Sequence, residues 1–186
     1  MIEINSLPIV IVSSPRTGST ALAVMLQKKL NGVLFSEPGM DDKKLNDFLR
    51  YASLKKNYIL KEHAEVLISK YTNLDFSQCF LVRITRRNFV EQLVSSYITG
   101  KRNKWFYTKE DDHFKDEIIT MDEIYLKEHI EYLHRHKQSI KKFDGRVDLD
   151  LTYEDILSEL NIGIKSIQPK NYVELLEWAK KVYEQT

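Results

Sequence analysis

Residues Pro8 to Ser13 read Pro-Ile-Val-Ile-Val-Ser, a β-branched run with no polar alternation. Such a run suits a strand buried on both faces of a parallel sheet. Ser14 to Thr20 then supplies turn residues. From Ser19 the apolar positions Leu22, Met25, Leu26 and Leu30 recur at helical spacing, and Asn31-Gly32 ends the pattern with residues that tolerate a left-handed helix end. A buried strand, a tight loop and an amphipathic helix in immediate succession leave few folds open to the chain, because the helix must fold back over the sheet that holds the strand.

The rest of the chain keeps this alternation. Val33 to Phe35 and Tyr58 to Leu60 are predicted strands, separated by a polar stretch with a helix around Leu45 to Leu54. Cys79 to Ile84 is the next strand. Asn88, with Glu91 three residues on, opens a helix with Val90, Leu93, Val94, Tyr97 and Ile98 inward and Gln92, Ser95 and Ser96 on the other side. Thr120 with Glu123 is predicted to open a long helix to about Lys142, with Ile124, Ile130 and Leu133 as its apolar positions. Val147 to Leu151 is a last strand, and Thr152 with Asp155 caps a short helix. Asn171 with Glu174 caps a final one, with a stripe at Tyr172, Leu175, Leu176, Ala179 and Val182. No linker or repeat interrupts residues 1–186, so one domain is expected. Its predicted fold is an α/β three-layer sandwich with a mostly parallel central sheet, and ligands belong at the carboxyl ends of the strands.

Composition narrows the partners. The 186 residues carry 28 Lys+Arg against 27 Asp+Glu, so no field of one sign favours a nucleic-acid partner. At 42% hydrophobic there is ample core, and the single Cys79, opening an apolar strand, is expected as a small core residue. No run approaches the roughly 20 apolar residues of a membrane span. Met1 to Ser6 lacks the pattern of an export signal, so a cytoplasmic protein of a reducing compartment is expected. A small anionic ligand must then be sought in local clusters.

Ser13-Ser-Pro-Arg-Thr-Gly-Ser-Thr20 is one such cluster. It has the layout of a P-loop, whose backbone N–H groups and following helix start make a positive concavity for phosphate. It departs from the nucleoside-triphosphatase form, since Ser13 replaces the first glycine and Ser19 the lysine, while the cation has moved to Arg16. A guanidinium there suits bidentate grip of a terminal anion. The plainer alternative is a Pro-Gly turn joining strand to helix. Arg86 and Arg87 form a second cluster, and Ser95 follows Arg87 by eight residues, roughly 12 Å along a helix. If Arg87 folds back, its guanidinium and the Ser95 hydroxyl can close on one phosphate. Taken alone, an arginine pair satisfying strand-end carbonyls is the simpler account.

Together these segments resemble the sulfotransferases that use 3′-phosphoadenosine 5′-phosphosulfate (PAPS), in a compact bacterial or viral-type form. Ser-Pro-Arg-Thr-Gly-Ser-Thr is similar to their 5′-phosphosulfate loop, and Arg-Arg-Asn-x-x-x-Gln-x-x-Ser, Arg86 to Ser95, to their 3′-phosphate motif. Ser96 to Trp105 and Asp148 to Leu157 resemble two further family segments. The resemblance implies that Arg16, Thr17, Gly18, Ser19 and Thr20 bind the 5′-phosphosulfate and that Arg87 and Ser95 bind the 3′-phosphate. It also implies that Lys61, taken as the end of the third strand, contacts the bridging or sulfuryl oxygens. For the base it offers two positions: His63, where the cytosolic branch keeps a histidine, and Glu37, where other branches keep a glutamate. A histidine has a suitable pKa without tuning, which ranks His63 ahead of Glu37.

Sulfuryl transfer from PAPS to the hydroxyl of a carbohydrate, glycolipid or small metabolite is the implied activity, with Arg16, Lys61, Arg86 and Arg87 converging at the strand ends. The chemistry calls for positioned cations and no metal, so transfer is expected without added divalent cation. The alternatives are a P-loop kinase-like nucleotide-dependent transferase and a catalytically silent PAPS- or nucleotide-binding module. Other features read plainly. His129, His134 and His136 share no helix face and make a poor zinc set. Lys101 to Tyr107, with Trp105, suggests a loop beside the cofactor rather than a single-strand binder.

Overall fold

The computed structural model describes residues 7–54, 57–104, 113–160 and 168–186. Trp105 and most of its loop lie outside the described residues. Ile9–Ser13 forms β1, Val33–Ser36 β2, Tyr58–His63 β3, Phe80–Thr85 β4 and Leu149–Thr152 β5. All neighbouring pairs are parallel, in the order β2-β3-β1-β4-β5. Central β1 is buried throughout, and alternate residues serve opposite faces. Ile9 and Ile11 join Leu22, Ala23 and Ile156 in one core, while Val10 and Val12 join Phe48, Leu60, Leu67 and Tyr71 in another. That two-sided burial is why the run carries no polar alternation. The edge strands β2 and β5 are short and half-exposed.

Ser19–Leu30 (α1) and Tyr153–Leu160 (α6) cover the first face; Asp42–Leu54 (α2), Ala64–Lys70 (α3) and Glu123–Lys141 (α5) cover the second. Phe89–Arg102 (α4), α5 and Tyr172–Glu184 (α7) share a third core built on Leu93, Tyr97, Leu126, Leu133, Leu175 and Ala179. The expected α/β sandwich is therefore present, with a sheet that is parallel throughout.

Several elements differ from the sequence expectation. The helix expected around Leu45 starts at Asp42, and β3 runs on to His63, so Lys61 lies inside the strand and not at its end. The short α3 has no counterpart in the sequence reading. The long helix is capped by Asp122, which accepts from the Tyr125 N–H, and not by Thr120. Tyr97 explains the shift, because its hydroxyl donates to the Thr120 carbonyl at 2.6 Å and accepts from the Asp122 N–H at 2.8 Å. Ile124 is consequently 76% exposed, and Leu126 takes the inward position. Asn171 makes no side-chain cap. Its amide brackets Ile119 instead, accepting from the N–H and donating to the carbonyl. Gln92 and Ser96 are buried rather than turned to the outer side of α4. The capping pairs at Asn88 and Thr152 form as expected.

Candidate functional site at the carboxyl ends of the strands

Ser13, His63 and Thr85 end β1, β3 and β4 side by side. The loop from Ser14 to Gly18 leaves β1 there. Gly18 has φ 72°, and it precedes α1 without any side chain to close the first turn. Internal bonds fix the loop: Ser13 Oγ to Ser19 Oγ at 3.0 Å, Thr17 Oγ1 to the Ser14 carbonyl at 2.9 Å, and Gln92 Nε2 to both Ser14 Oγ and the Pro15 carbonyl. Gln92 is buried because it braces this loop from α4. That role has no local sequence signal.

Arg16 also has a left-handed backbone, φ 62°. The other positive-φ residues that are not glycine are Glu37, Asn31 and Asn103, among the described residues. Both asparagines end helices, where they are at home. Arg16 and Glu37 are the two for which the conformation is costly, and such outliers gather at functional sites. From this backbone Arg16 Nε donates to Ser95 Oγ at 2.9 Å. The two clusters read separately in the sequence are thus joined across the β1–β4 crevice, with Arg16 rather than Arg87 on the Ser95 hydroxyl.

The paired arginines have divided roles. Arg86 is only 8% exposed and is held by the Arg16 carbonyl, by Glu91 and by the Tyr153 ring, 4.4 Å from its guanidinium carbon. Arg87 is 62% exposed and pairs with Asp155 on α6. Glu154 receives the Arg87 and Asn88 N–H groups, fastening the start of α4 to that helix. The four expected cations therefore do not form one cluster: Arg16 and Arg86 adjoin, Arg87 turns to Asp155, and Lys61 turns to Glu37.

Lys61, Glu37 and His63 are brought together. The Glu37 N–H continues the ladder, donating to the Lys61 carbonyl at 2.8 Å. Its carboxylate accepts from the Lys61 ammonium, which is 2% exposed, and lies 3.2 Å from His63 Nε2. Burial alone raises the Glu37 pKa, but the His63 hydrogen bond and the Lys61 charge outweigh it and hold the group at about 2. A depressed carboxylate stabilises the fold above its ordinary value, and that contribution is lost as pH falls. Comparing Glu37→Gln with the native chain, the difference in melting temperature should shrink as pH falls from 4.5 toward 2. A constant difference across that window would contradict the pairing.

Beneath this group lies a fully buried carboxylate that sequence reasoning passed over. Glu62 accepts from the Gly39 N–H at 2.8 Å, the Tyr71 hydroxyl at 3.1 Å and the His63 N–H at 2.9 Å. It ties the turn after Glu37 to β3. Gly39 permits that approach, since a Cβ there would stand 2.4 Å from Val66 Cγ1 and 2.8 Å from Glu62 Oε2. His136, set aside in the sequence with the other helix histidines, comes from α5 to place its ring 5.5 Å from that of His63.

Comparison with known proteins agrees with this architecture. No family model and no curated protein sequence matches the chain. Among solved structures, mouse sulfotransferase SULT7A1 complexed with PAP is similar to it with a TM-score of 0.50 and 17% identity. The match covers 97% of this chain but 63% of the mouse chain, so the protein spans less than two thirds of that relative's length. The chain has a sulfotransferase-like, P-loop-like α/β fold.

Proposed function

We propose that the chain is a single-domain sulfotransferase that moves a sulfuryl group from PAPS to the hydroxyl of a small molecule or carbohydrate. The observation that carries this reading is the Arg16–Ser95 hydrogen bond. It joins a phosphate-loop arginine to a serine of the second anion-binding segment, on a fold shared with a PAP-bound sulfotransferase. The donor set suits an anion: a guanidinium, hydroxyls and a helix start, with no carboxylate between Ser13 and Thr20.

Bound PAPS supplies the sulfuryl group, whose sulfur bonds to the acceptor oxygen as the sulfur–bridging-oxygen bond breaks, leaving its electron pair on adenosine 3′,5′-bisphosphate. The acceptor hydroxyl proton goes to the His63 imidazole, and the Glu37 carboxylate, 3.2 Å from its Nε2, stabilises the imidazolium that forms. Held ionised, Glu37 is a weak base but a good partner for that cation. Lys61 and Arg16 offset charge on the departing phosphate. Arg87 is the cation best able to reach a 3′-phosphate, because its pair with Asp155 is exposed and screened by solvent and so exchanges at little cost. Arg86, buried and held by the Arg16 carbonyl, Glu91 and Tyr153, keeps the loops in place.

Calorimetry with adenosine 3′,5′-bisphosphate against ADP tests the reading. The bisphosphate should bind more tightly by on the order of 10²-fold, the worth of a charge-assisted pair to the extra phosphate. Arg87→Ala should remove that preference. A preference for ADP would favour the kinase-like alternative, and binding without transfer of labelled sulfate to an acceptor panel would favour a silent module.

A further inference from the structure

Glu37 holds a conformation that its place in the chain disfavours twice. With φ 52° and ψ 46° it is left-handed, which is costly for a glutamate. Pro38 follows it, and the residue before a proline is pushed toward extended backbone. A backbone of this kind persists only where its surroundings over-determine it. The Glu37 N–H is tied to the Lys61 carbonyl at 2.8 Å. Relaxation toward an extended φ would turn the Cα–Cβ bond about that anchor and carry the carboxylate away from Lys61 and His63.

The restraint acts two residues further on. Gly39 is held at both of its backbone groups, its N–H donating to Glu62 Oε2 at 2.8 Å and its carbonyl accepting from Lys70 Nζ at 2.6 Å. The Tyr71 hydroxyl donates to the same Glu62 oxygen at 3.1 Å, and the His63 N–H donates to the other at 2.9 Å. Lys70 and Tyr71 are consecutive residues at the end of α3, so this short helix delivers both supports at once. We infer that Glu62 is a positioning residue for Glu37: by fixing the Gly39 N–H it keeps the strained turn closed, so that the Glu37 carboxylate stays on Lys61 and 3.2 Å from His63 Nε2. The inference deepens the sulfotransferase reading and rests on it for the reaction that Glu37 serves.

Stability alone does not account for a carboxylate in this place. Glu62 is 0% exposed, in a strand whose neighbours Leu60 and Ala64 are equally buried. A leucine would fill the space without the cost of desolvating an acidic group, and such exchanges are often neutral or stabilising. What leucine lacks is an acceptor for the Gly39 N–H. Glu62 offers its two oxygens to three donors, and one of those donors belongs to the turn that carries Glu37 while another belongs to His63. One side chain therefore fixes the backbones that present both members of the proton-handling pair. This is support of the kind that holds a reacting group within a fraction of an ångström of its working position.

Carboxyl-carbon NMR of Glu37 against pH, in the ligand-free full chain, reads its pairing directly. Against burial, which raises it, the His63 hydrogen bond and the Lys61 charge hold the native Glu37 pKa at about 2. Glu62→Leu and Gly39→Ala should each raise it by about one unit or more, a tenfold gain in proton affinity. Glu62→Leu removes a negative neighbour, which by itself would lower the Glu37 pKa. Gly39→Ala changes no charge, and its methyl group would overlap Val66 and Glu62, forcing the turn off its support. A rise in both variants therefore reports displacement of the carboxylate. Tyr71→Phe, which removes one hydroxyl, should give a smaller rise and decides the matter if either larger change prevents folding. A lowered Tm with an unchanged Glu37 titration would mark Glu62 as merely structural and overturn the inference, as would a fall in the Glu62→Leu chain. In the transfer assay Glu62→Leu and Gly39→Ala should lower kcat by on the order of 10²-fold, the cost of misplacing a reacting group by about 1 Å, with bisphosphate affinity unchanged. Because the titration needs no substrate, failure to bind the bisphosphate refutes the sulfotransferase reading without touching the result for Glu62.

Discussion

Lys61→Met should lower kcat for sulfuryl transfer by about 10²–10³-fold, the usual cost of removing one preorganised charge from a developing anion. Lys61 is 2% exposed and sits in a strand between the registers of Ile11 and Ser36, so no water can take the place of its ammonium. Methionine keeps most of the volume and the straight stem, which separates loss of charge from loss of packing. Affinity for adenosine 3′,5′-bisphosphate should change only a few-fold, because the loop from Ser14 to Gly18 remains intact. A kcat within tenfold of native would take Lys61 out of the charge-stabilising role.

Phe48→Ala should cost about 3–5 kcal/mol and lower Tm by roughly 10 °C or more, since a chain of this size loses a few degrees per kcal/mol. Phe48 is fully buried on α2 and meets Phe35, Tyr58 and Tyr71 edge-on, with centroids at 5.1, 5.3 and 5.7 Å. Its loss opens a cavity beside Tyr71, the residue that donates to Glu62. The effect should therefore reach the site, loosening the turn that presents Glu37 before the fold gives way. Phe48→Leu, which fills most of the space, should cost less than half as much. Destabilisation below 1 kcal/mol for the alanine variant would mean that α2 contributes little to this core.

The strands were readable because a buried parallel strand leaves a run of β-branched residues that no other element uses. The reading of β3 stopped at Leu60 because Lys-Glu-His looks like a loop. In the fold each of those polar residues has a partner, Glu37 for Lys61 and His63, and Gly39 with Tyr71 for Glu62, so the strand continues. Helix starts were legible where the capping residue had no competitor, as at Asn88 and Thr152. At Thr120 two cap formers stood two residues apart, and a tertiary contact from Tyr97 chose Asp122. The candidate site was legible in its residue types and less so in its pairings. Arg87 and Ser95 lie within reach along one helix, yet Asp155, from an element far along the chain, holds Arg87, and Arg16 takes Ser95. The meeting of His63 with His136 leaves no local trace at all, since only the packing of α5 against the second face of the sheet creates it.

Gly18 gives α1 a start that no side chain completes. A helix begun in this way frays at its first turn, and anything anionic seated in the loop finishes it. Occupancy should then be legible in amide hydrogen exchange: Thr20 and Ala21 slow when the nucleotide binds, while amides of β1, already buried throughout, do not change. The loop proposed to hold the ligand would thus also set how often the helix behind it opens.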